Sequence, residues 1–199
     1  VVVYDNLSAG HAEAVRRIAR AYPARQISLV LGDILDGDAV TRALSAARPA
    51  AVMHFAAKLL VGESVERPIE YYRTNVGGAL SVLGAMANAG VHRFIFSSTC
   101  ATFGEPVTPS LDETHPQRPI NTYGETKLAV ERALPHVERG TGIRWTALRY
   151  FNAAGADPDG LLGEDHQPEE HLIPRAIAAV HGGRPLTVFG DDYPTPDGT

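Results

Sequence analysis

The sequence predicts an α/β fold built on a doubly wound parallel sheet. Three observations carry that expectation. Short apolar runs alternate with longer stretches of helical spacing. The runs are nearly continuous in apolar residues, as in strands buried on both faces, and polar or turn residues bound them. Repeated β-then-α alternation calls for right-handed crossovers, with helices on both faces and all strand C-termini along one edge. In chain order, strands are expected at 1–4, 27–31, 51–55, 93–97, 145–149 and 186–189. Helical patterns fall between them at 11–21, 37–47, 69–89, 122–138 and 172–180.

The chain has 199 residues, enough to bury one large domain or slightly more. Its 44% hydrophobic and 21% charged content is that of a globular protein rather than a disordered one. Gly, Pro, Asp and Glu crowd residues 153–170, which places a domain boundary after Asn152. Residues 1–152 then form a Rossmann-like, NAD-binding domain. Residues 153–199, too few to fold alone, begin a smaller substrate-binding domain and stop inside it. The net charge of −5 argues against a nucleic-acid binder, which shows a basic surface. No apolar run approaches the roughly 20 residues that span a bilayer. The single cysteine, Cys100, has no internal disulfide partner, so a reducing cytoplasm is the expected compartment. The apolar start, Val1 to Tyr4, lacks a basic leader and runs straight into Asp5; it reads as a strand that begins abruptly, not as a signal peptide.

In a doubly wound sheet, ligands bind beyond the strand C-termini. Three strands end in suitable chemistry. Asp5 closes the first, where a carboxylate accepts both hydroxyls of an adenosine ribose and repels a 2′-phosphate, favouring NAD over NADP. Asp33 and Ile34 follow the second and suit an adenine edge. Phe55, Ala56 and Ala57 close the third with small residues that let backbone approach a pyrophosphate or ribose. Each aspartate alone is equally a turn-capping residue; the coincidence of three strand ends favours a dinucleotide site. The glycine-rich phosphate turn belongs about 20 residues before the ribose acid. Asp5 has four residues before it, so the turn is expected in a preceding segment.

Tyr123 and Lys127 stand i, i+4 on an expected helix and share a face. A nearby ammonium favours the phenolate and draws the tyrosine pKa toward neutrality, which makes a general base. Ser97, Ser98 and Thr99 end the preceding strand, where a hydroxyl bridges tyrosine and substrate. The trio suits hydride transfer coupled to proton abstraction.

These residues resemble the extended short-chain dehydrogenase/reductase family. Further segments are similar to its nucleotide-sugar 4-epimerases, those acting on UDP-glucose and UDP-galactose: Asp5-Asn6-Leu7-Ser8, Val61-Gly62-Glu63-Ser64-Val65, Glu70-Tyr71-Tyr72 with Asn75-Val76, Arg149-Tyr150-Phe151-Asn152, and Gly190-Asp191-Asp192-Tyr193-Pro194-Thr195. The resemblance covers essentially the whole chain. It implies a UDP-sugar substrate, a tightly held NAD and a homodimer. Tyr123 would take the 4-hydroxyl proton while Lys127 binds the nicotinamide ribose, and Thr99 would hydrogen-bond the 4-oxygen. Asp5, Asn6, Leu7, Asp33, Ile34, Phe55, Ala56, Ala57, Asn75, Ser97, Tyr150 and Phe151 would line the cofactor. Asn152, His171, Leu172 and Phe189 would meet the diphosphate and uracil. The dimer contact would use the helices at 69–89 and 122–138.

Related dehydratases and decarboxylases carry Asp or Glu just after the hydroxyl residue. Here Cys100 and Ala101 stand there, and neither exchanges a proton usefully at neutral pH in an apolar setting. That favours epimerisation, which needs one base that reverses its role. Phe103 replaces a usual tyrosine, and Lys58 follows Phe-Ala-Ala in a loop whose lysines vary in register. His166 and His171 have a zinc-like spacing but no cysteine or second histidine pair, so no metal is expected. Asp112 and Glu113 read as a solvated turn.

Overall fold

A computed structural model of the chain describes residues 1–199 except Arg184, Phe189, Pro194, Asp197 and Thr199. It divides into two compact units, Val1–Phe151 and Asn152–Thr199.

The first unit alternates strand and helix. β1 (Val2–Asp5), α1 (Ala12–Ala21), β2 (Ser28–Leu31), α2 (Gly37–Ala47) and β3 (Val52–His54) open it. Next come α3 (Val61–Glu66), α4 (Pro68–Tyr71), a π turn (Tyr72–Gly77) and α5 (Gly78–Ala89). β4 (Arg93–Thr99), a 3-10 turn (Cys100–Thr102), α6 (Thr122–Thr141) and β5 (Arg144–Tyr150) complete it. Every pairing is parallel, as β-then-α alternation requires, and the fold is Rossmann-like.

Local chemistry explains the helix bounds. The Asp36 carboxylate caps α2 by accepting from the Ala39 amide at 2.9 Å, and Arg48 closes it in a left-handed turn. α5 ends at Gly90, whose φ of 68° permits the Val91 amide to reach back to the Met86 carbonyl at 2.9 Å. The core gathers where α2, α5 and α6 meet β4: Val40, Val82, Leu83, Met86, Phe94, Phe96, Val130 and Leu134 are all buried.

Four departures from expectation stand out. The strands form two sheets, β1-β2 and β3-β4-β5, rather than one. Between β1 and β3 lies a cleft of about 700 Å³, with Val1 to Asp5 on one side and Val52 to Phe55 on the other. Among the described strands β1 pairs only with β2 and β3 only with β4, so each leaves one edge unpaired toward the cleft, and Val2 and Met53 are exposed. Secondly, the helix expected at 69–89 contains a π turn and is preceded by α3, which apolar periodicity did not reveal. Thirdly, β5 alternates between exposed and half-buried residues instead of being covered on both faces. Lastly, Leu186, Thr187 and Val188 carry no strand pairing, and Phe189 lies outside the described residues.

The second unit holds α7 (Leu172–Gly182), capped at its C-terminus by Gly183 in a left-handed turn. No described helix is long and apolar enough to cross a membrane.

Candidate active site

β4 delivers Ser97, Ser98 and Thr99 to the carboxyl edge of its sheet. Its register with β5 sets Thr99 opposite Tyr150. α6 starts at Asn121, whose side-chain oxygen accepts from the Gly124 amide at 2.8 Å. That cap puts Tyr123 in the first turn and Lys127 one turn later on the same face. The Tyr123 amide donates to Ser64 Oγ at 3.1 Å, and Ser64 Oγ donates to the Val61 carbonyl at 2.6 Å, so α3 also holds the start of α6. Gly124 permits the close approach this needs: a Cβ there would stand 2.5 Å from the Ala101 carbonyl oxygen.

Tyr123, Lys127, Thr99 and Ser97 are brought together as expected. The Thr99 hydroxyl lies near enough to Tyr123 to favour its phenolate. Lys127 is 3% exposed; its Nζ donates to the Ser97 carbonyl at 2.9 Å. The same ammonium lies 5.8 Å from the Tyr123 ring centroid and 5.1 Å from that of Phe96. The electrostatics correct one expectation. Burial pushes the Tyr123 phenol above its ordinary value; the Thr99 hydroxyl opposes this and Cys100 adds to it. Lys127 is not among the groups that shift it: its Nζ lies 5.8 Å from the phenol ring centroid and donates to the Ser97 carbonyl at 2.9 Å. Burial in turn lowers Lys127 to about 8. His54, buried and stacked on Phe96, is held down to about 4 by burial and by Lys127, so it is neutral.

Asn75 is buried in the π turn and clasps residue 58. Its Oδ1 accepts from the Lys58 amide at 2.8 Å, while its Nδ2 donates to the Lys58 carbonyl at 3.0 Å and to Thr126 Oγ1 at 3.1 Å. One side chain thus joins the loop after β3 to α6. The Lys58 ammonium pairs with Glu63 and Glu70, at 3.2 and 3.3 Å, which makes it part of an ion network on α3 and α4.

The cofactor residues fall at strand ends. Asp5 Oδ1 accepts from the Leu7 amide at 2.6 Å, with Leu7 in a left-handed turn (φ 56°). Asn6 donates to Asp33 Oδ2 at 3.1 Å, and Asp33 Oδ1 accepts from the Leu35 amide at 2.8 Å, tying the ends of β1 and β2 together. Both aspartates therefore cap turns, and each retains lone pairs. Ile34 packs against the core. Phe55, Tyr150 and Phe151 are exposed at strand ends, and Ala56 and Ala57 half-buried. This donor and acceptor set fits a dinucleotide: an acid at the end of β1 for a ribose diol, a buried ammonium, and uncovered aromatic rings. Asn152, His171 and Leu172 belong to the second unit.

Spacing did not reveal Ser64 or Glu131. Glu131, 7% exposed, accepts from Ser98, from Gln117 at 2.9 Å and from Arg149 at 2.7 Å. Burial alone would raise its carboxyl, but bonds from Arg149, Ser98 and Gln117 outweigh that and hold it below the usual range. Both residues bear on α6; Ser64's only signal was its place in the Val61–Val65 segment, and Glu131's its position one helical turn beyond Lys127.

A Rossmann-like domain with a hydroxyl, a tyrosine and a lysine at the carboxyl edge of its sheet defines a class: α/β proteins that pair a nucleotide site with an acid–base group. Within that class, the chain belongs to the NAD dependent epimerase/dehydratase family, whose model matches residues 1–197. A UDP-glucose 4-epimerase of Rhizobium leguminosarum bv. trifolii is 51% identical over 199 residues, covering 100% of this chain and 58% of the relative. The crystal structure of UDP-glucose 4-epimerase from Brucella ovis in complex with NAD superposes with a TM-score of 0.90 at 51% identity, over 98% of this chain and 58% of the other. That from Bifidobacterium longum, in complex with NAD+ and UDP, gives 0.89 at 34% identity over 100% and 60%. The chain thus spans somewhat over half the length of the relatives it matches.

Proposed function

We propose that the protein is an NAD-dependent UDP-glucose 4-epimerase that interconverts UDP-glucose and UDP-galactose through a 4-keto sugar. The carrying observation is the buried Lys127 ammonium one helical turn from Tyr123 on α6, its Nζ 5.8 Å from the phenol ring centroid, with Thr99 closing β4 at the carboxyl edge. Bound NAD supplies the hydride acceptor and donor. Tyr123 removes the 4-hydroxyl proton and later returns it, Thr99 holds the 4-oxygen, and Lys127 binds the nicotinamide ribose. Asn75 anchors the loop that follows β3. Asp5, Asn6, Leu7, Asp33 and Ile34 take the adenosine end; Phe55, Ala56, Ala57, Ser97, Tyr150 and Phe151 line the rest. Asn152, His171, Leu172 and Phe189 serve the UDP. The keto sugar turns its other face before reduction, so one base suffices for both directions.

The alternative of a dehydratase is disfavoured by Cys100 and Ala101, which occupy the turn beside Thr99 without a carboxyl group. The domain arrangement is an NAD-binding part, 1–152, followed by the beginning of a UDP-sugar part. The protein works in the cytoplasm as a homodimer, contacting its copy through the helical segments at 69–89 and 122–138.

The test is turnover of UDP-galactose by the full-length gene product beside Tyr123→Phe. Removing an acid–base group lowers kcat by about 10²- to 10⁴-fold. A phenylalanine variant with wild-type turnover would overturn the assignment of the base.

A further inference from the structure

We propose that Glu164, His166, Glu169 and His171 form a divalent-cation site, most suited to Zn²⁺, that ties the segment before α7 to the start of that helix. One ligand atom from each lies within 4.8 Å of all the others. His171 Nδ1 stands 3.0 Å from Glu164 Oε1 and 2.8 Å from Glu169 Oε1. His166 Nδ1 stands 3.3 Å from Glu164 Oε1 and 3.6 Å from Glu169 Oε2. Zinc bonds of about 2.0–2.2 Å place neighbouring ligands of a tetrahedral site about 3.4 Å apart, which these separations bracket.

Hydrogen bonding alone leaves this cluster unbalanced. Two carboxylates converge on one nitrogen of His171, which has a single proton to offer there. His166 Nδ1 is closed to solvent and has no hydrogen-bond partner, although carboxylate oxygens are near it. The two imidazole rings lie 4.7 Å apart, close enough to serve one ion. A dication removes both tensions: it offsets two carboxylates and takes a lone pair from each imidazole. Two imidazoles with two carboxylate oxygens suit zinc among common cations, whereas Mg²⁺ and Ca²⁺ prefer all-oxygen sites. The histidine spacing was legible in the sequence; the missing ligands are the two glutamates, which spacing rules built on cysteine and histidine pass over. His171 is the N-cap residue of α7, so a bound ion holds the first turn of the helix. The site does not depend on the epimerase reading.

The test is a competition titration of the chelator-stripped protein with Zn²⁺ against a chromophoric chelator. Wild type is expected to bind about one equivalent with micromolar or tighter affinity, unmoved by excess Mg²⁺. His166→Gln, His171→Gln and Glu164→Gln should each weaken binding at least about tenfold, while His136→Gln, on α6 of the first unit, should not. No zinc binding by wild type, or equal binding by His166→Gln/His171→Gln, overturns the site. Co²⁺ loading of the wild type gives a readout free of variant folding: intense visible bands mark a tetrahedral site, and weak octahedral bands overturn it.

Discussion

Lys127 takes a charge into one of the least exposed places in the chain, and its pKa of about 8 has a direct consequence for stability. An unfolded lysine holds its proton to about 10.4. Between about 8 and that value the unfolded chain binds more protons than the folded one, so unfolding free energy rises with pH, by up to about 1.4 kcal/mol per unit. Tyr123 works the other way only above its own ordinary value, since burial raises it and the unfolded phenol ionises first. Urea unfolding of the chain from about pH 7.5 to about pH 9.5 should therefore show wild type gaining about 1–3 kcal/mol relative to Lys127→Met. Parallel pH profiles for the two proteins would sink this account. The pair itself was readable in the sequence, because i, i+4 spacing puts two side chains on one helix face whatever else surrounds them. The sign of the tyrosine shift was not. It depends first on burial, which is set by the packing of distant segments around the start of α6 and not by the spacing of the pair. Ser64 escaped for the same reason: its bond to the Tyr123 amide spans 59 residues, and no local pattern reports such a contact.

The π turn between α4 and α5 shows what periodicity does and does not convey. The apolar spacing across 69–89 correctly marked a continuous helical run, for Tyr71, Tyr72, Gly77 and Gly78 all keep right-handed helical dihedrals. The widened turn inside it leaves no hydrophobic signature, yet it is the element that seats Asn75. π turns recur at functional sites because they re-aim one side chain without ending the helix. Here the side chain satisfies both backbone groups of Lys58 and reaches Thr126. Asn75→Leu strands those buried groups, each at about 1–3 kcal/mol, so the expected loss is about 2–4 kcal/mol. Chemical denaturation reads it, and a loss below about 1 kcal/mol would refute the clasp. α3 was missed because its Val-Gly-Glu-Ser-Val-Glu sequence is short and contains a glycine, and its one buried residue is Ser64. Strand ends were legible to within one or two residues, since Asp5, Asp33 and Thr99 mark where apolar runs stop.

The α/β class and the parallel direction of the strands followed from alternation alone, but strand neighbours did not, because run length says nothing of which strands pair. The cleft between β1 and β3 and the exposed side of the 61–89 segment are both apolar, and only the second is convex helix. On it, Val65, Ile69, Tyr72 and Leu80 are exposed. Ile69 lies on α4, Tyr72 opens the π turn and Leu80 lies on α5, whereas Ala79, Val82, Leu83 and Met86 are buried in the core. A helix apolar on its outer side as well as its inner one buries that stripe against another surface or leaves it as a patch of the kind found at protein contacts. A second copy meets the requirement symmetrically, since a two-fold interface sets the same stripe against itself. Light scattering of the full-length gene product at micromolar concentration should give the mass of two copies. Ile69→Glu with Leu80→Glu places charges at the centre of the stripe and should weaken association at least about tenfold, because truncated or charged hot spots dominate such interfaces. Both positions are exposed in the single chain, so the substitutions bury no charge within it and should leave the far-ultraviolet spectrum unchanged. A monomeric wild type, or a dimer indifferent to both glutamates, would place the contact elsewhere.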